Sequence, residues 1–376
     1  MPNLSIRVLK SILLILLFSA SSTVFSAPLD ELHIAMKGYP ALHGEFEFAL
    51  DKMNDTLDLL NLRGRDKKYA GTDVGDYDGM HVLGGLALSR RLWIDGGYWQ
   101  RSVQTSFDVA DTTTWHMGAQ FQLTVNMDWL PALAIRISRW GNYTPEVIKN
   151  SKTRFQGIDF DRIEVNYVED NQTQIDLIGT WSFEKTASFS FFGGVGSSEV
   201  TYQDLVVNLQ DVCQYSVNYW SGYNKYAGYI EGIQARGLPG NGGTCLINEI
   251  TVPAKKGQYI PKGLGVAYNA RYIQFGGSFQ WFDPNWRVRF GYRYHLSERE
   301  SVEEVVSQLG KTTYQSNHLL TADFGFKPFE HVGFFMRGQI MSNQFLGEIP
   351  FSYNAFSANQ FGKLYGLASF GIIAGF

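Results

Sequence analysis

The chain has 376 residues and a formal net charge of −4; 44% are hydrophobic, 15% aromatic and only 18% charged. That charge gives no basis for bulk nucleic-acid binding, the aromatic content excludes a disordered chain, and two cysteines exclude a disulfide-rich miniprotein. Mean hydropathy is −0.16, so bulk hydropathy excludes a helical membrane protein.

Residues 1–26 read as a secretory signal. Arg7 and Lys10 form a basic start, Ser11 to Ala20 an apolar run, and Val24 and Ser26 a small-residue site before Ala27. The run is shorter than the ~20 residues of a membrane helix. Without Arg7 and Lys10, 30 basic residues face 36 acidic ones. Residues 27–43 follow as a short periplasmic segment, with a sequence able to tuck into a lumen as a small plug.

From residue 44 the chain alternates with period 2, the signature of strands with two different faces. In 44–53, Phe46, Phe48 and Leu50 oppose Glu45 and Glu47. In 114–125, Trp115, Met117, Phe121 and Leu123 oppose His116, Gln120 and Gln122. In 286–297, Trp286, Val288, Phe290 and Tyr292 oppose Arg287, Arg289 and Arg293. A face so charged does not belong in a sandwich core. The same pattern recurs at 80–89, 92–103, 132–142, 173–184, 188–198, 266–282, 318–327, 332–344 and 363–376, twelve strands in all. Each supplies the ~9–11 residues needed to cross hydrocarbon at a tilt.

Connections alternate short and long. Short ones lie at 89–91, 126–131, 184–187, 283–285 and 327–331; long ones at 54–79, 104–113, 143–172, 199–265, 298–317 and 345–362. Short periplasmic turns and long external loops mark a transmembrane barrel. Trp93, Trp129, Trp181, Trp281 and Trp286 fall beside the short turns, and Trp99, Trp115 and Trp140 near the other ends, which reads as two interfacial girdles. The fold class is therefore all-β: a closed antiparallel transmembrane β-barrel of about twelve strands, over 27–376. Hairpins near 161–172 or 200–250 would make the number fourteen, and failure of the first strand would make it ten. The final segment LYGLASFGIIAGF ends in Phe376 and resembles the C-terminal assembly signal of Gram-negative outer-membrane β-barrels. That resemblance implies integral placement in the bacterial outer membrane and insertion by the barrel-assembly machinery.

Cys213 and Cys245 both fall in the large loop 199–265. In an oxidising compartment they read as one disulfide closing the 33 residues 213–245, worth roughly 3–4 kcal/mol. Parity directs Glu45, Glu47, Asp95, Arg101, Arg136, Arg287, Arg289, Arg293, Asp323 and Arg337 into the lumen, with Asp176 and Gln339 beside them. The leading reading is an arginine-lined pore for small hydrophilic, anionic solutes. The alternative is a plugged barrel, its arginines neutralised by carboxylates, acting as a structural or surface-binding protein.

A hydrolase is the other class. His295-Leu296-Ser297 resembles the His-x-Ser of outer-membrane phospholipases and lipid A deacylases. The Asn-Gly that follows the serine in those enzymes is missing, and parity points His295 toward the lumen. No catalytic residue is assigned. Asp73, Asp76 and Asp78 read as a solvated turn rather than a calcium loop, and His81, His116 and His295 sit on separated strands, so no metal or cofactor is expected. Basic residues of the outer loops (Arg63, Arg65, Lys67, Lys68, Lys149, Lys152, Arg154, Lys255, Lys256 and Lys262) suit lipid and lipopolysaccharide phosphates as partners.

Overall fold

The computed structural model describes residues 32–35, 42–53, 76–104, 109–125, 130–149, 153–155, 158–183, 186–209, 213–225, 228–238, 249–254, 259–358, 361–362 and 364–375. The signal at 1–26 and Phe376 lie outside them. The strands are β1 (Gly44–Met53), β2 (Asp76–Ala87), β3 (Leu92–Gln104), β4 (Val109–Gln122), β5 (Ala132–Lys149), β6 (Thr153–Phe155), β7 (Ile158–Phe160), β8 (Arg162–Phe183), β9 (Ala187–Thr201), β10 (Asp204–Leu209), β11 (Cys213–Asn224), β12 (Gly228–Gly237), β13 (Glu249–Pro253), β14 (Tyr268–Phe282), β15 (Trp286–Arg299), β16 (Ser316–Phe326), β17 (Val332–Met341) and β18 (Tyr365–Gly375). One short helix, α1 (Val302–Gln308), lies between β15 and β16.

Twelve of these strands close a barrel: β1–β5, β8, β9 and β14–β18. All neighbours are antiparallel. Closure is made by β1 on β18, in register from Glu45↔Gly375 to Lys52↔Ala368. Closure removes the sheet edge that hydrocarbon will not tolerate. The twelve expected strands all form, and the ten- and fourteen-strand alternatives fall away.

The alternation fixes which way each strand faces. Phe46, Phe48, Ile137, Ile175, Val195, Phe275, Phe290, Leu320 and Phe370 are exposed on the outer wall. Gln120, Gln174, Thr180, Ser190, Gln274, Arg293 and Thr321 are buried on the inner one. In lipid this is the stable sense, because the apolar face meets acyl chains and the polar face stays inside.

The tryptophan girdles are only half correct. Trp93, Trp99 and Trp140 carry lumen parity and are buried inside the barrel. Trp281 and Trp286 stand on the outer wall at the short-turn end, and Trp115 shares that wall at the other end. Position near a strand end says nothing about which face a ring takes. Trp129 lies outside the described residues.

The hairpins near 161–172 and 200–250 exist, but they extend the wall outward instead of widening the barrel. β8 pairs with β9 over Phe183 to Glu169, then with β10 over Asn166 to Arg162. At the crossover Tyr167 takes φ +53°, opposite Pro145 of β5, which has no N–H for the ladder. From there β10, β11, β12 and β13 form a sheet above the barrel. Its apolar face (Leu205, Val207, Tyr215, Val217, Ile233) packs with Val302 and Val306 of α1 and with Phe345, Ile349 and Phe351 of the β17–β18 connection. The outer mouth is thus roofed by a hydrophobic core of the kind found in soluble domains.

Candidate functional site

The lumen is filled from three directions. From the short-turn end, residues 32–35 enter beside β4, β8 and β14. Gln120 Nε2 donates to the carbonyls of Ile34 and Ala35 at 2.8 and 3.1 Å. Ser278 Oγ and Gln280 Nε2 donate to those of His33 and Leu32 at 2.8 and 3.1 Å. Ala35 N donates to Thr180 Oγ1 at 2.9 Å. The His33 ring meets Phe192 edge-on at 4.6 Å between centroids. Extended backbone without strand partners needs such donors and acceptors, and the glutamine- and serine-bearing inner wall provides them.

From the outer end, the β17–β18 connection folds inward. Asn142 Nδ2 donates to the Glu348 carbonyl at 3.0 Å and to both oxygens of Asp170 at 2.8 and 3.1 Å. Arg101 donates to Asn142 Oδ1 at 3.0 Å and to Thr114 Oγ1 at 2.6 Å, and its guanidinium lies 3.8 Å from the Glu348 carboxylate. Asn317 Nδ2 holds the carbonyls of Gln344 and Leu346 at 3.2 and 2.9 Å. Gly347, at φ +89°, lies so close to His295 that a β-carbon there would stand 2.8 Å from the ring. Only glycine fits both that conformation and that approach. Two lysines of the outer half hold the same connection. Lys311 Nζ donates to the carbonyls of Ala355 and Phe356 at 2.8 and 3.0 Å, and Lys149 Nζ reaches Phe356 at 3.5 Å. Burial, and then the nearby Lys149 charge, bring the Lys311 ammonium down to about 8.

At the short-turn end and partway up the lumen lie the charged residues expected from parity. Arg287 and Arg289 of β15 and Arg337 of β17 converge on Asp323 of β16. Arg289 donates to both oxygens at 3.0 Å, Arg337 at 3.2 Å and Arg287 at 3.3 Å. Arg337 also reaches Glu47 of β1 at 3.0 Å. Glu47 continues to His81 at 3.0 Å, and His81 to Asp51 at 2.7 Å. The Arg287, Arg289 and Arg337 side chains keep 17%, 15% and 14% exposure, while that of Asp323 is fully buried. Glu45 sits at the short-turn end of the same wall, 3.5 Å from His43. Across the lumen Arg136 makes a two-pronged pair with Asp95, both bonds 2.6 Å. Arg293 is buried higher on β15 and is engaged by neighbours. The arginines therefore do not form a bare ladder; each cluster carries carboxylates of its own.

The sequence missed Asp51, Asn142, Asp170 and Glu348, whose roles depend on partners up to 206 residues away. His295 and Ser297 both face the lumen and are buried, turned from the acyl chains a lipid hydrolase must reach. His81, His116 and His295 are not brought together. Among the described residues no group of His, Cys, Asp or Glu is arranged as a metal site. Asp78 pairs with Lys52 at 2.7 Å, whereas Asp73 and the Asp76 side chain lie outside the described residues. Cys213 opens β11 and Cys245 lies outside them, so the bridge stands as an expectation.

No known family's sequence profile matches the chain, and no curated protein matches it. Solved structures with a similar course include the translocator domain of autotransporter NalP from Neisseria meningitidis, at 8% identity and TM-score 0.44, covering 89% of this chain and 88% of that one. They also include the KdgM porin, at 6% identity and TM-score 0.35 (88% and 98% covered). LpxR from Salmonella typhimurium follows at 9% identity and TM-score 0.35 (88% and 99% covered). The chain's own geometry carries the assignment: a closed antiparallel ladder, apolar outside and polar inside, is an integral outer-membrane β-barrel.

Proposed function

We propose that this barrel is a gated pore for small hydrophilic, anionic solutes. The single observation behind this reading is the convergence of Arg287, Arg289 and Arg337 on Asp323, in a polar lumen at its short-turn end. A guanidinium presents paired donors that match a carboxylate or phosphate. An anionic solute entering there can take donors that Arg287, Arg289 and Arg337 keep toward the lumen, where their side chains retain some exposure, while Asp323 stays paired behind them. The resting state is closed, because residues 32–35 and the β17–β18 connection occupy the lumen. Residues 32–35 are held by side chains of the wall and can leave without opening the barrel, whereas the β17–β18 connection, with Phe345, Ile349 and Phe351 in the core of the roof, opens the outer end only by moving with that roof.

The test is conductance of refolded protein in a planar bilayer, with selectivity from the reversal potential. Intermittent conductance with anion preference is expected, and the preference should fall in the R289Q/R337Q variant. A folded barrel that stays silent at all potentials overturns the pore. A second reading is favoured by the apolar roof over the outer mouth. A permanently sealed barrel would present its β10–β13 sheet as a binding surface and conduct nothing. The inward burial of His295 and Ser297 weighs against lipid hydrolysis; lipid turnover lost in S297A would restore it.

A further inference from the structure

Four adjacent strands of the outer wall, β5, β8, β9 and β14, carry an ordered sequence of rows. In one row Ile137, Ile175, Val195 and Ile273 stand in register, all exposed to the membrane. The next row toward the outer mouth is Arg139, Thr173, Ser197 and Arg271. All four of these residues are exposed on the outer wall as well. The change from aliphatic to arginine and hydroxyl within one step on all four strands marks the boundary between acyl chains and headgroups. The Arg139 guanidinium sits 6.0 Å from the Trp115 ring centroid, an interfacial pairing of the same kind. Glu298 of β15 stands opposite Arg271 and ends the basic part of the row.

Three strand spacings separate the two arginine columns, roughly 14 Å at ~4.8 Å each. Two hydroxyl side chains fill the interval. Below Arg271 on the same strand, the outer wall opens into an apolar cavity of about 830 Å³. Phe275 and Phe290 flank it, and Gly277, Ala322, Gly338 and Ala368 leave its floor low. That volume is in the range of small-ligand pockets.

We propose that this face is a binding site for a diphosphorylated glycolipid of the outer leaflet. Its two phosphates pair with Arg139 and Arg271, its sugar hydroxyls with Thr173 and Ser197, and an acyl chain lies in the cavity below. Guanidinium forks suit phosphate, and the hydroxyl interval suits a saccharide that separates two phosphates. The site faces lipid, so it is independent of what the lumen passes.

The experiment is native mass spectrometry of the full-length protein in detergent, titrated separately with diphosphoryl lipid A, monophosphoryl lipid A and phosphatidylglycerol. Diphosphoryl lipid A should bind most tightly, with about tenfold loss for each of R139Q and R271Q and about a hundredfold loss for the pair. The R139K/R271K variant should fall between, since it keeps the charge and loses the fork. E298Q should tighten binding by removing a neighbouring carboxylate. Heat-modifiable gel mobility verifies that each variant is folded; neutralising outward-facing arginines removes charge from a lipid-exposed wall, so folding should persist. Undiminished binding in folded R139Q/R271Q overturns the proposal. So does phosphatidylglycerol binding as tightly as diphosphoryl lipid A, which would reduce the face to unspecific charge.

Discussion

Replacing Asp323 tests the lumen network most directly. Its side chain is fully buried and receives four N–H donations from three arginines, between 3.0 and 3.3 Å. Removing one partner of a buried ion pair costs about 3–5 kcal/mol, because the remaining charge loses its compensation. The three guanidiniums keep some contact with water, and Glu47 still holds Arg337. Asp323→Ala should therefore fall near the lower end, about 3 kcal/mol. Asp323→Asn should cost about half of that, since an amide oxygen still accepts while the charge is gone. The assay is urea unfolding of the barrel refolded into lipid vesicles, followed by tryptophan fluorescence. With a slope of ~1–3 kcal/mol per molar urea, the alanine variant should lower the midpoint by about 1 M or more. Adding Arg289→Gln should recover part of the loss, since the orphaned charge disappears with it. A midpoint within about 0.2 M of the parent, at unchanged slope, would refute the claim that Asp323 holds the cluster together.

Three further outcomes follow from the outer half. Asn142→Ala leaves Asp170 and the Glu348 carbonyl short of a donor at buried positions, so it should cost about 2–4 kcal/mol and increase protease cleavage at 342–358. Unchanged cleavage would disconnect Asn142 from the plug. Lys311 has a folded-state value of about 8, below its ordinary value of 10.5. Between those values the unfolded chain binds more protons, so stability rises as pH climbs from about 8 toward 10 and the gain is absent at lower pH. Protease resistance of the roof should improve between pH 7 and 9.5 in the parent and stay flat in Lys311→Met. Reduction, or Cys213→Ser, should change mobility on non-reducing gels and weaken the β10–β13 sheet by roughly 3 kcal/mol without altering the barrel's heat-modifiable shift; identical mobility with and without reductant would exclude the bridge.

Much of the architecture was legible because its cause is local. A strand facing lipid on one side and a lumen on the other must alternate with period 2, and that alternation is written residue by residue in 44–53, 114–125 and 286–297. Turn length by parity and the even strand count follow from the same constraint. Parity also sent Arg287, Arg289, Arg337 and Asp323 inward together. Trp93, Trp99 and Trp140 stand near strand ends, which suggests a girdle, but their parity sends the rings inward, and parity decides.

The sequence by itself determined a closed wall, its inward and outward faces and its candidate charges. Only the tertiary structure decided what fills that wall. The pairing of Glu47 with Arg337 across 290 residues, the seat of residues 32–35 against β14, and the entry of Glu348 beneath Arg101 each depend on closure and register. Those contacts are made between distant segments without repeating pattern, so no periodicity announces them. Likewise, 199–265 reads as one long loop because its hydrophobic residues find their partners in α1 and the β17–β18 connection, which exist as neighbours only once the barrel has closed.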